Sequence, residues 1–176
     1  GDPPTGALEA CAALGGSLNN VTVFHSLSKR SSGAGLRSGF VVGAPDLMEA
    51  FYMLRSTGGA VTPLPILAAS AKLWEEDKHA KETRAHYAEL FDLAERKLGN
   101  RAGFYKPPAG FFLWLDVGDG EKVALDLWQN HAVKTIPGAY FSYPDPETGE
   151  NYGAPYLRIA LVHDRQNAEE GLTRIA

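Results

Sequence analysis

The chain has 176 residues, 44% of them hydrophobic, with 21 acidic and 17 basic residues and a formal net charge of −4. That is enough apolar material for a substantial core, and the length fits one domain or parts of two. Basic and acidic residues are interspersed, which excludes an electropositive stripe for nucleic acid, and no apolar run approaches the ~20 residues that span a bilayer. The single Cys11 cannot close an internal disulfide, so a buried thiol in a reducing cytoplasm is expected.

In chain order, residues 1–6 (Gly-Asp-Pro-Pro-Thr-Gly) carry neither an initiator Met nor a basic or apolar leader, and are expected to be a loop exposed by truncation or processing. Residues 7–14 read as a short helix stopped by Gly15 and Gly16. The β-branched run at 21–24 predicts a short buried strand, followed by a polar cluster at 25–29 and a Ser/Gly-rich loop through Gly35. Residues 39–43 predict a second apolar strand. Pro45 and Asp46 then open a helix to about Arg55, with Asp46 favoured by the N-terminal dipole. Pro63 and Pro65 break the chain. From Ile66 to Leu98 apolar residues recur at helical spacing, but the charged stretch 75–84 predicts a kink or break. Further on, the pattern predicts a strand at 111–117, an amphipathic helix at 121–131, a strand at 156–162 and a final helix from Glu169. Alternating strands and helices imply an α/β or α+β class with layered packing, and a domain boundary is expected near residue 70.

The segment richest in chemistry runs from Ser26 to Gly39. Lys29 lies just past a predicted strand, where α/β sheets commonly present side chains to a ligand. Ser26 and Ser28 precede it and Arg37 follows eight residues later across a glycine-containing loop. Hydroxyls and a planar guanidinium suit a phosphate monoester, and an amine beside such a site can condense with a phosphate-bearing aldehyde. Pyridoxal phosphate is the common biological aldehyde of that kind. Other readings stay open for these residues: surface solvation for Lys29, an ion pair for Arg37 and turn hydrogen bonds for the serines. Ser26 and Lys29 also fit the S-x-x-K pattern of serine acyl-enzymes, although neither S-D-N nor K-T-G occurs in the chain.

The ordered set of strand, Ser26-Leu27-Ser28-Lys29, glycine loop and Gly35-Leu36-Arg37-Ser38-Gly39-Phe40 resembles the class I/II, fold-type I aminotransferases. The resemblance continues through 107–114 (Pro-Pro-Ala-Gly-Phe-Phe-Leu-Trp), 137–141 (Pro-Gly-Ala-Tyr-Phe) and 156–161 (Tyr-Leu-Arg-Ile-Ala-Leu), and so covers essentially the whole chain. It implies a partial fold-type I architecture. Residues 1–70 would end the large cofactor-binding domain and its three-layer sheet, and 71–176 would form a smaller α+β domain.

The resemblance also implies roles. Lys29 would carry pyridoxal 5′-phosphate as a Schiff base and shuttle the substrate's Cα proton. Ser26, Ser28 and Arg37 would hold the phosphate, Arg158 would grip the substrate carboxylate, and Gly110 would lie beside the substrate. Metal is not expected, and His25 is expected to serve local structure. The stretches 3–10 and 24–31 are most similar to bacterial N-succinyldiaminopimelate aminotransferases, which implies amino transfer between N-succinyl-LL-2,6-diaminopimelate and 2-oxoglutarate in a cytoplasmic homodimer. A non-catalytic phosphate- or carboxylate-binding module of the same fold, or a C–S lyase, is the alternative. The family's aspartate for the pyridine nitrogen and its tyrosine for the ring hydroxyl lie upstream of the lysine. Here only Asp2 precedes Lys29 and the first tyrosine is Tyr52, so these residues alone are expected not to transaminate.

Overall fold

A computed structural model describes residues 5–59, 61–101 and 103–176. The chain divides into two compact units, one ending at Arg84 and the other spanning Ala85–Ala176.

The first unit starts with helix α1, Ala7–Ala13, followed by strand β1, Val23–Ser26, and a single helical turn α2, Leu27–Arg30. A short 3-10 turn, Ala34–Leu36, leads into strand β2, Gly39–Val42, which pairs antiparallel with β1 in the register Val23↔Val42 to Ser26↔Gly39. Helix α3, Pro45–Gly58, has Pro45 in its first turn, where the missing N–H is no loss, and Asp46 beside the dipole's positive end. Helix α4 spans Leu64–Glu75 and helix α5 begins at Lys78 and runs to Leu98.

Three of these elements refine what the sequence suggests. The strand expected at 21–24 forms two residues later, and it is not buried: Phe24 is 69% exposed, because β2 is its sole partner strand among the described residues. Pro65 does not interrupt the chain but sits inside the first turn of α4. The break expected within 75–84 occurs at its start, where Glu76 and Asp77 leave the helix between α4 and α5.

In the second unit, strands β3 (Phe112–Asp116), β4 (Ile136–Pro137) and β5 (Tyr156–Ala160) form an antiparallel sheet in the order β3-β5-β4. Period-two alternation sends Leu113, Leu115, Leu157 and Ile159 to one face, where they are buried. Leu90, Phe91, Leu93, Ala94 and Leu98 from α5 join the same cluster. It is completed by Ala124 and Leu127 of helix α6, Gly120–His131, and by Ala168, Leu172 and Ile175 of helix α7, Arg165–Ile175. Asp119 caps α6 through the Lys122 N–H, and Asp164 caps α7 through the Asn167 N–H, each at 3.0 Å. That cap is why α7 starts at Arg165, ahead of the predicted Glu169. The same backbone donor holds the Asp164 carboxyl below the usual carboxylate range. No helix among the described residues is long and apolar enough to cross a membrane.

Since Leu157 is fully buried and Tyr143 is 93% exposed, Leu157→Ala should cost about 2–5 kcal/mol and Tyr143→Ala less than about 0.5 kcal/mol. Urea unfolding monitored by far-UV circular dichroism tests this. Equal midpoints for the two variants would contradict the placement of the core.

Candidate functional site

The end of the β1–β2 ladder gathers the polar residues of the first unit. Ser26 closes β1 in an extended conformation, and its Oγ accepts the Ser28 N–H at 3.2 Å, capping α2. Leu27, fully buried, anchors the turn, and its carbonyl accepts the N–H groups of Ser31 at 2.9 Å and Gly33 at 3.0 Å. Ser28 is half-buried and Lys29 lies on the exposed side of the same turn. The loop returns through Ser32 and Arg37, both with left-handed backbones at φ 51° and 49°. Arg37 Nη1 donates to the Ala34 carbonyl at 3.1 Å.

Two backbone features bring Arg37 back to the serines. The Leu27 N–H donates to the Ser38 carbonyl at 3.0 Å, which closes the ladder one step beyond the Ser26↔Gly39 pair. Gly39 is required there, because a Cβ would stand 2.5 Å from the His25 carbonyl oxygen. The fixed order Arg37-Ser38-Gly39 therefore places the guanidinium residue within two positions of a strand pair with Ser26. Residues 26–39 contain Lys29, Arg30 and Arg37 and no acidic residue. Arg30 is ion-paired with Asp77, and the same loop also carries Lys29, Arg37 and the hydroxyls of Ser26 and Ser28. This donor set suits a phosphate dianion.

His25 belongs to β1. Its ring lies 5.4 Å from Phe40 and 5.5 Å from Trp74, within an aromatic cluster. A second cluster joins α2 to the α4–α5 break: Arg30 and Ser31 meet Leu73, Glu76, Asp77 and His79. A hydrogen bond from His79 holds the Glu76 carboxyl below the ordinary glutamate range.

In the second unit, Arg158 sits on β5 opposite Trp114 of β3 and Ile136 of β4. Its guanidinium carbon lies 4.4 Å from the Phe112 ring centre and 4.1 Å from that of Phe141. Trp114 stacks on Tyr156 at 5.5 Å and meets the edge of Phe141 at 6.1 Å. Rings on the guanidinium faces restrict its rotation and direct its N–H groups outward in the plane. No carboxylate pairs with Arg158 among the described residues, so the strand-end ion pair that such an arginine often makes is not formed. Gly110, with φ 106°, lies just ahead of β3, and no atom stands within 4 Å of where its Cβ would be.

Phe112, Trp114 and Phe141 around Arg158, and the contacts of Arg30, do not stand out in the sequence. The i, i+2 spacing of Phe112 and Trp114 on a strand is a signal for the first group. Nothing local announces contacts of Arg30 across 43 to 47 residues.

The family profile for aminotransferase class I and II matches residues 2–175. Among solved structures, the chain is similar to an aminotransferase from Neisseria meningitidis, with a TM-score of 0.90 and 36% identity over 98% of this chain and 44% of that one. It is 33% identical to 4-dedimethylamino-4-oxo-anhydrotetracycline transaminase of Streptomyces rimosus over 86% of its length and 40% of the relative's. It is also 31% identical to LL-diaminopimelate aminotransferase of Natranaerobius thermophilus, again over 86% of its length and 39% of the relative's. The chain thus spans about two fifths of the curated relatives it matches.

Gly39→Ala should cost about 1–3 kcal/mol through the clash with the His25 carbonyl. Gly35→Ala, with open space around it, should change stability by less than about 0.5 kcal/mol. Comparing the two denaturation midpoints tests the close approach, and an innocuous Gly39→Ala would rule it out.

Proposed function

The chain belongs to the class I and II aminotransferase family, and on that premise we propose that the protein carrying it transfers an amino group between an amino acid and a 2-oxo acid with pyridoxal 5′-phosphate as cofactor. The observation that carries this reading is the ladder end described above. There β1–β2 pairing sets Gly39, two residues after Arg37, opposite Ser26, with Ser28 and Lys29 on the turn that follows and no acid in residues 26–39, which supports a phosphate-binding role for this stretch. Those residues fit the cofactor's phosphate. When bound, the pyridinium ring supplies the electron sink for charge at the substrate Cα.

The chain's own residues divide the remaining work. Ser26 and Ser28 hydroxyls and the Arg37 guanidinium hold the phosphate and fix the ligand's position. Lys29 Nζ anchors the cofactor and then holds and returns the proton at the substrate Cα. Arg158 binds the substrate α-carboxylate through two parallel N–H groups, a task for which a lysine's point charge is poorly shaped. Its aromatic neighbours keep that fork flat. The open left-handed turn at Gly110 leaves room for substrate beside β3.

We place the substrates as N-succinyl-LL-2,6-diaminopimelate and 2-oxoglutarate. The similarity to a relative named LL-diaminopimelate aminotransferase supports a diaminopimelate skeleton, and both proposed substrates carry the carboxylate that Arg158 would bind. A homodimer in the cytoplasm completes the proposal, in keeping with the buried thiol of Cys11.

The test is borohydride reduction of the full protein with the cofactor, followed by mass mapping and kinetics. A pyridoxyl adduct on Lys29 is expected, with amino transfer abolished in Lys29→Ala. Arg158→Lys should raise the KM for 2-oxoglutarate roughly 10- to 100-fold, the scale of a lost charge-assisted hydrogen bond. No adduct at saturating cofactor would favour a non-catalytic binding module. Release of a thiol product in place of amino transfer would favour a C–S lyase.

A further inference from the structure

We propose that Arg30, seconded by His79, is a positioning clamp that fixes the direction of Lys29. This rests on the reading of Lys29 as the cofactor-bearing lysine.

The turn α2 has four residues, and a helix that short has no stability of its own in water. Its orientation must come from anchors. One is Leu27, fully buried at the start. The other is Arg30, immediately after Lys29, whose side chain is only 10% exposed. Successive residues of a helix project about 100° apart, so holding Arg30 sets the direction in which Lys29 leaves the turn.

Arg30 is held on every side. Nη1 donates to the Leu73 carbonyl at 2.6 Å and to Ser31 Oγ at 3.2 Å. Nη2 donates to the Glu76 carbonyl at 3.3 Å and to the Asp77 carboxylate. The guanidinium also lies 5.5 Å from the centre of the Trp74 ring, which in turn touches Phe40 of β2 at 5.1 Å. The two carbonyls belong to the C-terminal end of α4, where backbone acceptors lack helical partners and the dipole favours a cation. Asp77 is largely exposed, so its ion pair is the weakest of these ties and the carbonyls hold the geometry. A lysine ammonium could satisfy one of these acceptors but could not span them as a planar fork does.

His79 adds a second tie. Its Nε2 lies 2.7 Å from Ser31 Oγ and its Nδ1 lies 2.7 Å from Glu76 Oε2. The Glu76 carboxylate can only accept, so Nδ1 carries a proton toward it, and Nε2 shares a second hydrogen bond with the Ser31 hydroxyl. Ser31 follows directly on α2, so the far end of the Lys29 turn is fastened to the α4–α5 junction through Arg30 and to the start of α5 through the Ser31–His79 contact.

The test uses the full-length protein freed of cofactor, comparing wild type with Arg30→Ala, Arg30→Lys and His79→Gln. Arg30→Ala should accelerate exchange of the Ser31 and Gly33 amides about tenfold, with no change in the β3–β5 peptides. Arg30→Lys should recover little of that protection, and His79→Gln should give a smaller acceleration of the same two amides. Cofactor should bind the Arg30 variants about tenfold more weakly while the reduced adduct still maps to Lys29. Unchanged exchange at Ser31 and Gly33 would overturn the clamp. So would full rescue by lysine, or an acceleration spread evenly through residues 85–176. A wild-type protein that gives no Lys29 adduct would instead overturn the functional reading, and the exchange data would still decide the clamp.

Discussion

The hydrogen bond from the Leu27 N–H to the Ser38 carbonyl closes the β1–β2 ladder at the point where the chain passes from strand to the stretch that carries Lys29. A ladder hydrogen bond is worth little by itself, about 1 kcal/mol net. Its consequence is geometric: it brings together residues that an eleven-residue excursion would otherwise leave apart, Ser26 on one side and Arg37 on the other. The closure depends on Gly39, whose missing Cβ lets the two backbones meet. Residue types chosen for shape thus determine where residues chosen for charge can act.

The two arginines proposed to bind ligands are restrained differently. Arg37 is exposed, adopts a left-handed backbone and returns one N–H to its own loop at Ala34. Arg158 is held by rings on its faces and by no ion pair among the described residues. A guanidinium stacked in this way keeps its in-plane donors available, whereas a carboxylate partner would have consumed them. Arg30 shows the opposite condition, with its donors spent on α4 carbonyls, Ser31 and Asp77, and it therefore suits positioning rather than ligand binding.

Much of this was legible in the residues. Helices α1, α3, α6 and α7 and strands β2, β3 and β5 follow from periodicity, caps and breakers, and the break between α4 and α5 follows from the charged run at 75–84, whereas the single turn α2 falls in a stretch that reads as a polar cluster and loop. The ordered spacing of Ser26, Ser28, Lys29, Arg37 and Gly39 marked the loop as chemical. Two kinds of information were not local. The shift of β1 to Val23–Ser26 depends on its pairing with β2, which composition cannot encode. The contacts of Arg30 and His79 cross 43 to 48 residues, so nothing in the residues next to Arg30 announces them. The aromatic faces around Arg158 come from β3 and the 3-10 turn at Gly138–Phe141, and only the folded unit assembles them.

The account stands or falls on whether the ladder end holds a phosphate dianion. The most direct measurement is the ³¹P resonance of pyridoxal phosphate bound to the full protein, followed from about pH 5 to 8 across the ordinary second phosphate pKa near 6. The account predicts a shift that does not move with pH in the wild-type protein, because Arg37 and the serine hydroxyls stabilise the dianion, and a titrating resonance in Arg37→Gln. A wild-type resonance that titrates as the free cofactor does, or an Arg37→Gln protein indistinguishable from wild type, would contradict it.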